Sequence, residues 1–180
     1  MVYRRIAVTG ARFAALALTC VVAACGSFGD NAPTVSQPSF YRDLAAGGEL
    51  DPAGAAAMIS NYRTNNGLGP VTLDPALMEM AKEQARAMAS RNKLDHDVVG
   101  AFAVRIKRSG FDAGAAAENI SAGYHTMAEA FSGWRDSPHH RANMLLKPAT
   151  RMGIAAVYAP GTKYKVFWAL VLAAPDERKG

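Results

Sequence analysis

The chain has 180 residues, half of them apolar and 19% charged, enough for one ordinary globular domain and too few for two. Its formal charge of +5 contains no clustered Lys/Arg stripe beyond "RIKR", Arg105 to Arg108, so nucleic acid is not a favoured partner. The two cysteines, Cys20 and Cys25, both lie near the start, which excludes a disulfide framework as the support of a domain further on.

The opening residues, "MVYRRIAVTGARFAALALTCVVAAC", place Arg4, Arg5 and Arg12 before an apolar run from Phe13 to Ala24. That run is shorter than the ~20 residues a bilayer-spanning helix needs, so residues 1–25 read as a secretory signal. The run closes on Val22, Ala23, Ala24 and Cys25, followed by Gly26, and this resembles the lipobox of bacterial lipoproteins. The resemblance implies that Cys25 becomes the first mature residue and carries acyl chains; the alternative is an ordinary cut at an A-x-A-like site. Cleavage before Cys25 removes three of the 20 basic residues and none of the 15 acidic ones, leaving a charge of +2. A membrane, reached through the lipid anchor at Cys25, is then the first partner. The protein faces the periplasm or the exterior, with an outer membrane favoured because Gly26 gives no inner-membrane retention signal.

Residues 26–50 are rich in Ser, Pro, Gly and Asn without a sustained apolar period and read as a tether, on which Phe40, Tyr41 and Leu44 are candidates to dock. The domain is expected over 51–175. Asp51 and Pro52 open a first helix with Ala56, Ile59 and Tyr62 on one face, ending at Asn65 to Gly69. Asp74 and Pro75 open a second, whose face runs Leu77, Met80, Ala81, Gln84, Ala85 and Met88. A third is expected from about Val98 to Ser109, with Phe102 and Ile106 facing inward. A fourth runs from Thr126 to Asp136, opened by a capping box of Thr126 and Glu129. After Pro148 the period becomes two, and "RMGIAAVYAP" and "KYKVFWALVLAA" flank Pro160-Gly161-Thr162 as an antiparallel pair. Helices followed by paired strands predict an α+β domain with helices packed on a small antiparallel sheet.

Three polar residues stand outside what the helix faces explain: His96 in "LDHD", Glu118 in "AAAENI" and His140 in "SPHHR". Ser137 and Pro138 read as the cap and first position of a short helix, which puts His140 in its first turn beside Arg141. A helix N-terminus and a neighbouring cation both disfavour imidazolium, so His140 is expected to stay neutral. Glu118 follows three alanines and needs a partner if buried, and Asn119 beside it can hydrogen-bond neighbouring backbone. His125 and His139 read as solvent-facing. Each of the three residues also has a plain structural reading: a helix-end His96, a loop-fixing Glu118, a satisfied His140.

Taken in order, the segments "ISNYRTNNGLGPVTLDPALMEMAKEQARAMA", "LDH", "FAVRIKRSGFDAGAAAENISAGYHTMAEAFSGWRDSPHHRANML", "RMGIAAVY" and "YKVFWALVLA" resemble the bacterial branch of the CAP superfamily, the cysteine-rich secretory, antigen 5 and pathogenesis-related 1 proteins, or SCP domain. The resemblance covers about residues 54 to 173. It implies an α-β-α sandwich whose cleft gathers histidines and glutamates able to hold a divalent cation, with His96, Glu118 and His140 at the matching positions. Ser137 and Asn119 are secondary cleft positions. The chain departs from the eukaryotic pattern at Ser137, where an acidic residue is usual, and on the late strand, where "FWALV" carries no histidine. His139 replaces the glycine of the bacterial motif. Two imidazoles and one carboxylate suit Zn, or less closely Mg, with an open position, but leave no separate general base.

Three functions follow as expectations. The first is an exported binding or interaction module that takes an envelope protein, a lipid or a polymer and has no confirmed catalytic residue. The second is a metal-assisted hydrolase of peptide or envelope polymer. The third is a structural envelope module with a vestigial cleft.

Overall fold

A computed structural model describes residues 37–179 of the chain. The expected signal at 1–25, Cys25 and the start of the expected tether lie outside the described residues. The rest of that tether does not stand off the domain. Asp43 caps a short 3-10 turn at Leu44–Ala46 with its carboxylate, and Leu44 is buried in the core while its N–H donates to the His125 carbonyl at 3.0 Å. Phe40 packs partly buried on the same core, whereas Tyr41 is half exposed.

Five α-helices follow: α1 Pro52–Asn65, α2 Pro75–Ser90, α3 Phe102–Arg108, α4 Met127–Asp136 and α5 Pro138–Met144. Their starts are chemical. Asp51 accepts from Gly54 N–H, Asp74 accepts from Ala76 and Leu77 N–H, and both are followed by a proline that needs no donor partner there. Thr126 and Glu129 close the expected capping box. The third helix begins four residues later than expected, because His96 to Ala101 form a loop in which the carbonyls of His96, Val98 and Gly100 accept from the side chains of Gln84, Arg91 and Arg105.

Four strands, β1 Thr72–Leu73, β2 Ala113–Ala122, β3 Arg151–Tyr158 and β4 Val166–Pro175, form one sheet in the order β1-β3-β4-β2. The expected antiparallel pair is β3 and β4, with Arg151 opposite Ala173 and Tyr158 opposite Val166. The sheet is mixed, not wholly antiparallel, since β1 pairs parallel with β3. β4 is buried along nearly its whole length, and its side chains alternate between two cores. Val166, Trp168, Leu170 and Leu172 meet α1, α4 and α5, while Phe167, Ala169, Val171 and Ala173 meet α2 and α3. The result is the α-β-α sandwich that the resemblance implied.

Arg63 staples one helical layer. It lies fully buried in the last turn of α1 and donates to the carbonyls of Gly69, Met144, Leu146 and Ala149 at 2.8 to 2.9 Å, tying α1 to the turn between α5 and β3.

Candidate functional site

The site is built on the outer edge of the sheet, on β2. Residues on a strand alternate faces, so Glu118 shares a face with Ile120, toward α2 and α3, and Asn119 shares one with Ser121, toward α4 and α5. Glu118 therefore lies on a strand, where a loop-fixing carboxylate was the plain reading.

On the first face, Glu118 has two partners, a guanidinium and an imidazole. Both of its oxygens lie 2.8 Å from Arg105 Nη2, and Oε1 lies 2.7 Å from His96 Nδ1. The Arg105 and Glu118 side chains expose 1% and 2% of their surface, while His96 keeps 50%. Arg105 does more than pair: Nε donates to the Gly100 carbonyl and Nη2 to the His96 carbonyl, each at 3.0 Å. Gln84, the one polar residue on the α2 face, donates to the carbonyls of Asp95 and His96 at 2.8 and 3.2 Å. The loop bearing His96 is thus held by two buried side chains from two helices.

Arg105 escaped the sequence reading because it sits in a basic tetrapeptide. A signal was there, since Arg105 follows Phe102 by three residues and precedes Ile106, on the face expected to turn inward. Its guanidinium lies 5.4 Å from the Phe102 ring centroid.

On the second face, Asn119 donates to the His140 carbonyl at 2.9 Å and accepts from Asn143 Nδ2 at 2.9 Å, while Asn143 also donates to the Glu118 carbonyl at 3.0 Å. Asn119 does bond backbone, and Asn143 is a second positioning residue that the sequence reading passed over. Ser137 occupies the N-cap position of α5, but its side chain makes no capping hydrogen bond. The expected cap role is corrected on that point; Pro138 and the extended backbone at Ser137 start this short helix without it. His139 is exposed, and His125 is half-exposed, 3.6 Å from Asp43.

The pKa values of His96 and His140 are shifted in opposite directions. The hydrogen bond to Glu118 raises His96 above its ordinary value, against the opposing effect of burial. Burial lowers His140, followed by the nearby charges of His96 and His139, rather than the helix N-terminus and Arg141 suggested by the sequence. His140's ring makes no hydrogen bond among the described residues and borders a cleft of about 280 Å³ together with Ser121, Trp134, Ser137 and Leu94.

Glu118 does not fit as a ligand of the divalent cation that the resemblance implied. A carboxylate ligand needs free lone pairs, and a ligating imidazole must be neutral. Glu118 gives both oxygens to a guanidinium and Oε1 also to His96 Nδ1, which sets it behind the imidazole and not beside it as a ligand. Among the described residues no group of three or more His, Cys, Asp or Glu is arranged to hold a metal ion.

Comparison with known proteins agrees with the architecture. The cysteine-rich secretory protein family, CAP, matches residues 56–172. The uncharacterized protein YkwD of Bacillus subtilis (strain 168) is 31% identical over 104 residues, which are 53% of this chain and 38% of that protein, so the chain spans well under half of this relative's length. An outer surface protein of Borrelia burgdorferi superimposes with a TM-score of 0.61 at 16% identity, over 67% of this chain and 90% of that one. An extracellular protein of Bacillus anthracis containing a SCP domain gives 0.57 at 24% identity, over 68% of this chain and 41% of that one. With the family matched across most of the described domain and the sandwich in common, the chain belongs to the cysteine-rich secretory protein family, although the matched residues contain no cysteine.

Proposed function

We propose that the protein is an exported CAP-domain binding module, held at a membrane through Cys25, whose ligand surface is the cleft beside β2. In this reading His96, Glu118 and Arg105 form an internal ion-pair network and not a metal centre. The observation that carries it is Arg105, buried with both Glu118 oxygens at 2.8 Å. A metal-assisted hydrolase would need that carboxylate as ligand or base, and a guanidinium at hydrogen-bond distance competes with both roles.

Export is supported by the signal-like residues 1–25 and by two structural relatives described as an outer surface protein and an extracellular protein.

Zinc and magnesium titration by calorimetry tests the reading, comparing the metal-stripped protein with a His96→Ala, His140→Ala double variant. The expected result is no micromolar binding in either. Stoichiometric micromolar binding that the double variant loses would overturn the network reading and restore the hydrolase.

A further inference from the structure

The cleft beside α5 holds several polar side chains that the fold does not use. Ser121 Oγ and Trp134 Nε1 are buried, their residues 7% and 1% exposed, and neither atom has a hydrogen-bond partner among the described residues. The other tryptophan is a control: Trp168 Nε1 donates to the Tyr124 carbonyl at 2.8 Å. Ser121 and Trp134 both border the 280 Å³ cleft, where Ser137 and His140 also present side chains that make no hydrogen bond within the described protein. Buried polar groups are ordinarily satisfied, so two orphans on one cleft wall, beside two further uncommitted groups, are a pattern that points to a ligand.

The chemistry of those groups narrows it. Indole N–H only donates, hydroxyls donate and accept, and an uncharged imidazole does one of each. The residues bordering the cleft include no Asp, Glu, Lys or Arg, so nothing there offsets a ligand charge. Leu94, exposed at the rim, and the Tyr124 ring supply apolar surface. A small neutral molecule rich in hydroxyl or carbonyl oxygens, with an apolar ring face, matches this set, and the volume is that of about one sugar unit.

We propose that this cleft binds a neutral saccharide unit, with Trp134 Nε1–H and Ser121 Oγ–H directed to its oxygens and Ser137 and His140 at its margin. The proposal rests on the binding-module reading and names its ligand class. The backbone of His140, held by Asn119, and the strand position of Ser121 fix the two sides of the cleft relative to each other.

The test is a nuclear magnetic resonance titration of isotopically labelled full-length protein in detergent micelles. The chain has two tryptophans and hence two indole N–H signals, and Trp134→Phe assigns them. The probes are di-N-acetylchitobiose, cellobiose and the peptide-like N-acetylalanine methylamide. The expected result is saturable movement of the Trp134 indole signal, not the Trp168 signal, by one or both disaccharides. Their comparison tells whether an acetamido group or hydroxyls alone are read. Binding should weaken about ten-fold in Trp134→Phe and in Ser121→Ala, the equivalent of one hydrogen bond. Saccharide binding unchanged in both variants, binding of the peptide amide alone, or no movement with any probe would each overturn the proposal. A zinc site found by calorimetry would instead overturn the underlying reading, so the two failures are separable.

Discussion

A carboxylate as deeply buried as Glu118 needs a counter-charge, and Arg105 supplies it in a place that water does not reach. Removing one member of such a pair leaves the other buried and unpaired. Arg105→Met is therefore expected to lower unfolding stability by about 3–5 kcal/mol in urea titrations, while Arg105→Met combined with Glu118→Leu recovers most of it. A single variant within about 1 kcal/mol of wild type would contradict the burial argument. His96 adds a pH dependence. Its folded-state value is raised, so its contribution is fully present below the ordinary 6.5 and is lost as pH rises through the raised value. Melting curves of wild type and His96→Gln should thus differ most near about pH 5.5 and converge on the alkaline side. The opposite trend would show that the Glu118 contact does not govern this group. At this scale the sequence carried His96, Glu118 and His140 through their motif. It did not carry Arg63 or Arg105, because a cation on an apolar helix face looks like an exposed one until the carbonyls and carboxylate it meets, from 5 to 86 residues away, are brought together by the fold.

At the level of elements, the caps were legible because capping is local: an aspartate, a proline, and N–H groups two or three residues on. β2 was not. Its sequence, "AGAAAENISA", is half alanine, which favours helix, and the strand exists because the apolar β4 needs a neighbour on its second edge. Small side chains on β2 then let α5 approach closely enough for Asn143 and Asn119 to bond across. The two-residue β1 was equally invisible, since its pairing with β3 depends on where Thr150 and Met152 arrive. A related close approach gives a prediction. A Cβ placed on Gly153 of β3 would fall inside the Leu77 backbone carbonyl at the start of α2, and no rotamer change can move a backbone atom away. Gly153→Ala should cost about 1–3 kcal/mol or more by overpacking, whereas Gly161→Ala, which meets open space in the β3–β4 turn, should melt like wild type. Equal melting temperatures for the two would show that α2 can shift along the sheet.

For the molecule as a whole, the absence of any cysteine from 37–179 separates two roles that cysteine could have played. The described domain holds itself by packing on both faces of one sheet, so the attachment proposed for Cys25 asks nothing of the fold. Phe40 and Leu44 dock on the core, so the packed structure begins ahead of residue 51. These facts make anchoring and folding independent. Two or three acyl chains, each contributing about 0.8 kcal/mol per buried methylene, would hold the protein firmly where one chain would not. Cys25→Ser should therefore move the protein from the detergent phase to the aqueous phase in Triton X-114 partitioning of expressing cells. It should leave the melting transition of the domain unchanged. Retention in the detergent phase would mean that residues 1–24 remain attached as an anchor. Loss of the melting transition would mean that Cys25 contributes to the fold, contrary to a core that among the described residues is built from Phe40 and Leu44 onward.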